Sequence, residues 1–231
     1  MSTLADFRNW QDRRVRDGAG FLSQAEKDDT LEQAFRIYSR HRPRIGVYSV
    51  AGNGTSDYAL PGDWEEGFST LVDLEEPAGE QRPEFLEEDR YGLIHNGTVY
   101  ILRLFDLTPP STETLRLRYT LLHAVDIAGS TIPRPDELAV ADLAAALAFR
   151  ELAARAGQTV DTTIDADNVN YTSQAQVYTQ LADRLQRQYR EHVGVSDEAP
   201  GGGSGPVVSY EDVDVALSYG EDRLFHGRVT H

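Results

Sequence analysis

Cysteine is absent from the 231 residues, and lysine and methionine occur once each, at Lys27 and Met1. Without cysteine the chain has no disulfide, no thiolate metal site and no cysteine nucleophile. No apolar run approaches the roughly 18 residues that a membrane-spanning helix needs, so we expect no membrane segment. The first residues also lack the basic and apolar regions of a secretory signal. Motifs of phosphate-binding loops, dinucleotide-binding folds and serine hydrolases are missing as well.

The charge is strongly one-sided, with 38 acidic residues against 22 basic ones and a formal net charge of −16. Such a surface repels itself unless salt screens it, and at about 1 M salt the Debye length falls to roughly 3 Å. The excess of carboxylates therefore predicts a protein from a halophilic setting. The alternative is an ordinary acidic protein encoded by a GC-rich mesophilic genome, which would also explain the lack of lysine. Either way, the charge argues against a general nucleic-acid binder, which needs a basic surface.

Residues 1–42 are predicted to form the first helices of a bundle. Ser23 and Glu26 match the capping box, in which the serine oxygen accepts a backbone N–H and the glutamate reaches back. The helix that follows carries apolar residues at helical spacing. Its candidates for the bundle core are Leu31, Phe35 and Tyr38.

The pattern changes from helical to alternating between residues 43 and 129. Asn96-Gly97 lies between two apolar runs and predicts a hairpin with a type I′ turn. Frequent prolines keep the strands short. We predict a small antiparallel β domain over 43–129, built as a sandwich or an open barrel and inserted into the bundle. The clearest alternation of apolar and polar residues places on the buried face Leu115, Leu117, Tyr119 and Leu121.

Helical periodicity returns over residues 130–194, which complete the bundle. Pro135 suits the first position of a helix so rich in alanine that we expect it to be buried on most sides. Ser173 and Gln176 match a second capping box. The fold class is therefore α+β. The candidate core residues on these two helices are Leu138, Leu143, Leu147, Leu181, Leu185 and Tyr189.

Residues 195–231 begin with a linker rich in glycine and proline, which is typical of flexible segments. The part that follows is too short and too acidic to form a core of its own. We predict a flexible tail that orders against a partner, for instance by strand addition, with a frayed end as the alternative. The candidate docking residues are Val207, Val208, Tyr210, Leu224 and Phe225.

Residues that could carry chemistry form no recognisable site. The six histidines share no spacing typical of a metal site, and Asp161, Asp165 and Asp167 lack the closing glutamate of a calcium loop. In a chain this acidic, neighbouring carboxylates say little about acid–base catalysis. We therefore predict no catalytic residue, no cofactor and no metal, and a protein that is not an enzyme. A hydrolase whose carboxylates are hidden among the others stays open as an alternative.

Aromatic, glycine and proline residues recur in a characteristic order over residues 21–194. The order is a helix ending in Tyr38-Ser39-Arg40-x-Arg42-Pro43-Arg44, then Leu60-Pro61-x-x-Trp64-x-x-Gly67-Phe68-Ser69, Tyr119-Thr120-x-x-His123, the alanine-rich helix and Tyr189-x-x-x-Val193-Gly194. This pattern resembles the head–tail connector (adaptor) proteins of long-tailed phages and archaeal tailed viruses.

The resemblance implies a structural protein of the virion neck, assembled in the host cytoplasm. It implies a ring of about twelve copies between the portal and the next tail or neck component, through which DNA passes without specific binding. It also implies that the carboxyl-terminal segment docks on the portal. The chain departs from the simplest adaptors, which are nearly all helical, by its β domain and its acidic tail.

Two further functions stay open. The first is a neck stopper or tail-completion protein, which belongs to the same structural class. The second is a carbohydrate- or surface-binding β module, because Trp64 offers a ring for sugar stacking. Packing of Trp64 in the core of the β domain is the favoured interpretation.

Overall fold

The computed structural model describes residues 2–17, 20–158 and 168–195, and within them the fold is α+β. The described part contains four helices and six strands in the order α1 (Leu4–Val15), α2 (Gln24–His41), β1 (Arg44–Ala51), β2 (Asp57–Ala59), β3 (Leu71–Glu75), β4 (Tyr91–His95), β5 (Tyr100–Leu104), β6 (Thr114–Leu121), α3 (Arg134–Gln158) and α4 (Asn168–Val193). The strands are thus inserted between the two halves of a helical bundle, as predicted.

Helix α3 is the centre of the bundle, because α1, α2 and α4 all pack against it. Its alanines at 139, 141, 144, 145, 146 and 148 are buried, and their small side chains let three neighbours approach closely. Phe7 of α1, Val140 of α3 and Tyr189 of α4 join the predicted core residues of α2 in one cluster. Burial of apolar surface of this kind is the main favourable term in folding.

Most of the core residues predicted on the helices lie where the periodicity placed them. Leu31, Phe35, Tyr38, Leu143 and Tyr189 are buried, whereas Leu147, Leu181 and Leu185 are partly buried and pack against the two helical clusters.

Leu138 is the exception, and its assignment to the core is wrong. Its side chain is 52% exposed. One turn later on the same side of α3 lies Asp142, which pairs with Arg14 at the surface. The spacing of four residues puts Leu138 on this polar strip rather than under a neighbouring helix.

The helix ends follow the sequence signals in part. Ser23 caps α2 as predicted, since its hydroxyl accepts from Glu26 N and the Glu26 carboxylate accepts from Ser23 N. The second capping box is wrong, because α4 already begins at Asn168 and Ser173 lies within its second turn. Pro135 is the second residue of α3 rather than the first.

The β domain is a sandwich of two three-stranded antiparallel sheets. Sheet A has the order β1-β6-β3 and sheet B the order β2-β5-β4. The predicted alternation in β6 is confirmed, since Leu115 and Leu117 are fully buried between the sheets. On the outer face Arg116 pairs with Glu75, and Arg118 pairs with Asp73.

The hairpin between β4 and β5 is confirmed, but its turn is not type I′. That turn needs positive φ at two successive residues. Gly97 has a φ of 97°, whereas neither Asn96 nor Thr98 has a positive φ. The Asn96 side chain instead accepts from the backbone N–H groups of Thr98 and Val99, at 3.1 Å each. Asparagine closes the turn with its side chain, as it does in many loops.

The predicted docking residues at 207, 208, 210, 224 and 225 lie outside the described residues, as does the acidic loop at 161–167. No helix in the described part is both long and apolar enough to cross a bilayer.

Candidate functional site at the junction of bundle and sandwich

The chain crosses between the bundle and the sandwich twice, after α2 and again between β6 and α3. Asp136, in the first turn of α3, lies between the two crossings, and its side chain is only 4% exposed. The Asp136 carboxylate accepts side-chain hydrogen bonds from three residues: Tyr38 Oη at 2.6 Å, Arg42 Nη1 at 3.0 and 3.2 Å to its two oxygens, and His192 Nε2 at 2.9 Å. These donors come from α2, from the first crossing and from α4.

The Asp136 carboxyl is held ionised. Burial alone would raise its pKa, but the hydrogen bonds from Tyr38 and His192 and the positive charge of Arg42 outweigh that effect, and the pKa is lowered. A buried carboxylate is stable only when it is paired and hydrogen-bonded in this way. Asp136 therefore fixes the positions of three separate segments around it.

Arg42 extends the network in two directions. Its second guanidinium nitrogen donates to the backbone oxygen of Val193 at 3.1 Å, near the end of α4. Its own backbone oxygen lies 3.0 Å from His123 Nε2, in the second crossing. His123 Nδ1 lies 3.0 Å from the backbone oxygen of Thr131. Arg42 and His123 together tie both crossings to α4.

Burial lowers the pKa of His123, although the two backbone oxygens act in the opposite direction. Burial and the charge of Arg190 likewise lower the pKa of His41. His41 Nδ1 lies 2.8 Å from the hydroxyl of Tyr189. Burial raises the pKa of Tyr189, so its hydroxyl keeps its proton in this contact. The junction thus holds two neutral histidines at neutral pH.

Ser39 links α2 to the second crossing by a different route. Its hydroxyl donates to Phe35 O at 2.7 Å and accepts from His123 N at 3.0 Å. A surface pocket beside it is lined by Glu32, Phe35, Arg36, Ser39, Leu122, His123 and Val125. The polar groups of the junction are engaged with one another, and the arrangement holds segments together rather than presenting an activated nucleophile.

Burial and the neighbouring carboxyl of Glu113 raise the pKa of Glu76 in the sandwich. Within the described residues, no group of three or more histidine, aspartate or glutamate side chains is placed to hold a metal ion.

Trp64 lies on the sandwich and not, as predicted, in its core, since its side chain is half-buried and does not belong to the cluster between the sheets. Its ring stacks on Tyr119 with a centroid distance of 5.8 Å, and the Tyr119 hydroxyl donates to Asp63 at 2.5 Å. Burial and this hydrogen bond raise the pKa of Tyr119 to about 12. One face of the Trp64 ring is thus covered by the Tyr119 ring.

Several of the residues that carry the resemblance converge in the structure, although they are spread over some 150 positions of the sequence. The motif at residues 60–69 is not among them, since its Trp64 stacks on Tyr119 of the sandwich. Tyr38, Arg42, His123 and Tyr189 all belong to the junction, and Val193 supplies an acceptor to it. The central residue, Asp136, was not predicted from the sequence. An acidic residue in the first turn of a helix is ordinarily a surface feature that favours the helix dipole, so no local signal marked it as buried.

No protein-family model and no curated protein matches the sequence. Matches among solved structures include a chain from the virion of a native gene transfer agent (GTA) particle, 14% identical over 77% of this chain and 92% of that one, with a TM-score of 0.27. A chain from the neck of the native GTA particle, computed with C12 symmetry, is 13% identical over 77% and 92%, with a TM-score of 0.28. A chain from the neck of the empty particle, computed with C6 symmetry, is 15% identical over 78% and 87%, with a TM-score of 0.27. TM-scores this low do not establish a common fold.

Proposed function

We propose that the chain is a structural virion protein, a head–tail connector that assembles as a ring between the portal and the next tail or neck component. One observation carries the proposal. Several of the scattered residues on which the resemblance to adaptor proteins depends, Tyr38, Arg42, His123 and Tyr189, come together at the junction of bundle and sandwich. Residues that form one hydrogen-bonded network support a common architecture with adaptor proteins better than the same residues spaced along a sequence.

The architecture suits a mechanical part. The junction fixes the sandwich on the end of the bundle through buried, mutually hydrogen-bonded groups, so a load on one reaches the other. Its carboxylate, imidazoles and hydroxyls are used in bonds to one another, which favours an inert scaffold over an enzyme.

The charge suits a channel for DNA. With a net charge of −16, the protein repels phosphate, and a ring of such subunits lets DNA pass without specific binding. We further propose that the protein resides in the virion neck after assembly in the host cytoplasm. The tail residues Val207, Val208, Tyr210, Leu224 and Phe225 are the proposed contacts with the portal.

Particle imaging and mass measurement of the purified protein in molar salt, alone and with its portal, test this function. We expect rings of about twelve copies on the portal. A chain ending at residue 195 is the matched variant, and we expect its rings to bind the portal less tightly. Only monomers under both conditions would overturn the connector.

The same experiment distinguishes the proposed connector from a neck stopper. A stopper would ignore the bare portal and bind only after an adaptor ring is in place.

A further inference from the structure

The sandwich has an unprotected edge at β1. The strand is eight residues long, and among the described residues it pairs only with β6, so its other side is the border of sheet A. Ile45 and Val47 on its outward face are 48% and 59% exposed. Proteins usually block such edges with lysine, proline, a bulge or a covering segment, because a bare edge pairs readily with another strand. Residues 44–51 contain neither lysine nor proline, and their register with β6 is regular.

A second bare edge lies in sheet B, at β4. This strand pairs only with β5, and Leu93 in its middle is 37% exposed. The border of β3 in sheet A differs, because residues 84–86 cover it. Leu86 N donates to Leu74 O at 2.8 Å, and Glu76 N donates to Glu84 O at 3.0 Å. Within the described part of the chain, the border at β3 is therefore covered, whereas the borders at β1 and β4 are open.

The two bare edges lie on opposite sides of the sandwich. Five residues, 52–56, join β1 to β2, so the edge strands of the two sheets lie together on that side. On the other side β4 lies near β3, since only residues 87–90 separate β4 from residues 84–86, which hydrogen-bond to β3. One edge can thus face one neighbour while the other edge faces a different neighbour.

The charged groups beside the two edges differ in sign. Arg44, the one charged residue of β1, is exposed, whereas Arg36 and Arg42 in the preceding segment pair with Glu32 and Asp136. Residues 80–90, which lead into β4, hold five carboxylates and two arginines, and all of these side chains are exposed. A neighbour that brings the β4 edge to the β1 edge therefore gains electrostatic attraction, whereas two β1 edges repel each other.

We propose that the β1 edge of one copy binds the β4 edge of the next copy, so that sheet A of one subunit continues into sheet B of its neighbour. The contact is head-to-tail, and such a contact forms a ring when the rotation between copies closes. The inference rests on the proposed ring and names the surfaces that build it.

Charge exchange at the two edges tests this contact. The first variant, Arg44→Glu with Val47→Glu, makes the β1 edge acidic. The second, Glu87→Arg with Glu88→Arg, makes the β4 flank basic. Each variant alone faces like charge with like, so we expect association about ten-fold weaker or more at each contact. Mixing the two variants restores opposite charges at every contact, and we expect alternating rings to return.

Two matched controls change the net charge equally on exposed helical surfaces. Arg13→Glu with Gln33→Glu corresponds to the first variant, and Asp29→Arg with Glu191→Arg to the second. Both controls should assemble as the unaltered protein does. All samples are compared at the lowest salt at which the unaltered protein stays folded, and circular dichroism verifies folding.

Crosslinking supplies a measurement that does not depend on breaking the ring. Because the chain has no cysteine, Val47→Cys and Leu93→Cys place single thiols on the two edges. With a short bismaleimide, a mixture of the two variants should give crosslinked dimers, whereas either variant alone should not. Dimers from Val47→Cys alone would show β1 paired with β1 and overturn the proposal.

Rings that survive both charge exchanges, without crosslinks between the two thiols, would also overturn the edge contact but leave the connector function standing. An unaltered protein that forms no ring with its portal would remove both.

Discussion

The bundle and the sandwich bury their cores in different ways. In the bundle, the small alanine side chains of α3 let three other helices close around it, and apolar contact is nearly complete. In the sandwich, large leucines fill the space between two small sheets, and the borders at β1 and β4 stay open in the described part of the chain. The bundle therefore favours internal rigidity, whereas the sandwich offers surfaces to other molecules. The junction around Asp136 makes the two behave as one piece.

Removing the junction carboxylate should have the largest effect on this coupling. Asp136→Ala leaves Arg42 and Tyr38 without their acceptor, and breaking a buried charge pair from one side costs about 3–5 kcal/mol. We expect a loss of this size in urea unfolding at constant high salt. Asp183→Ala, which removes an exposed carboxylate of α4, is the control and should cost about 1 kcal/mol or less. Equal free energies of unfolding for the two variants would mean that the junction does not stabilise the fold.

A cavity in the sandwich is the next largest change. Leu117 is fully buried between the sheets, and Leu117→Ala should destabilise the protein by about 2–5 kcal/mol. Val72→Ala removes a partly exposed side chain from sheet A and serves as the control. If the junction couples the domains, sandwich and bundle signals will move to lower urea together. A transition confined to the sandwich would show that the two unfold separately.

Enlarging a side chain in α3 tests the close approach of the helices. Ala144 is fully buried at the centre of the bundle, and Ala144→Leu should cost about 1–3 kcal/mol through overpacking. The same enlargement at the exposed position Ala154 should be nearly neutral or slightly stabilising, since alanine and leucine are both good helix formers. Thermal unfolding of the two variants measures the difference. A tolerated leucine at 144 would mean that the bundle is loosely packed.

Acid should act weakly and through the two junction histidines. The pKa values of His41 and His123 are lowered on folding, so the folded state binds fewer protons than the unfolded chain below about pH 7. Stability is then fully present above the ordinary histidine pKa and declines as the pH falls towards the folded values. His123→Gln should flatten the decline in unfolding free energy between pH 7 and 5, and His95→Gln, at the exposed hairpin, should not. An identical pH profile for all three proteins would exclude His123 as a source of the dependence.

Local sequence signals predicted correctly those parts of the fold whose structure depends on residues close together in the sequence. The capping box at Ser23 depends on residues within one turn, and the inward leucines of β6 depend on alternation within one strand. Both were correct for that reason. The turn at Asn96 was predicted with the wrong geometry because its side chain offered a competing set of hydrogen bonds, which dipeptide preferences do not weigh.

The sequence by itself determined the α+β order of helices and strands, the buried alanine-rich helix and the excess of negative charge. Periodicity, propensity and composition are properties of short segments or of the whole chain, and they can be read without knowing which segments meet. Only the tertiary structure decided that Asp136 is buried, that Leu138 is not, and that β1 and β4 are the open edges. These outcomes depend on contacts between residues far apart in the chain, since a side chain is buried, or a strand left bare, by what folds against it.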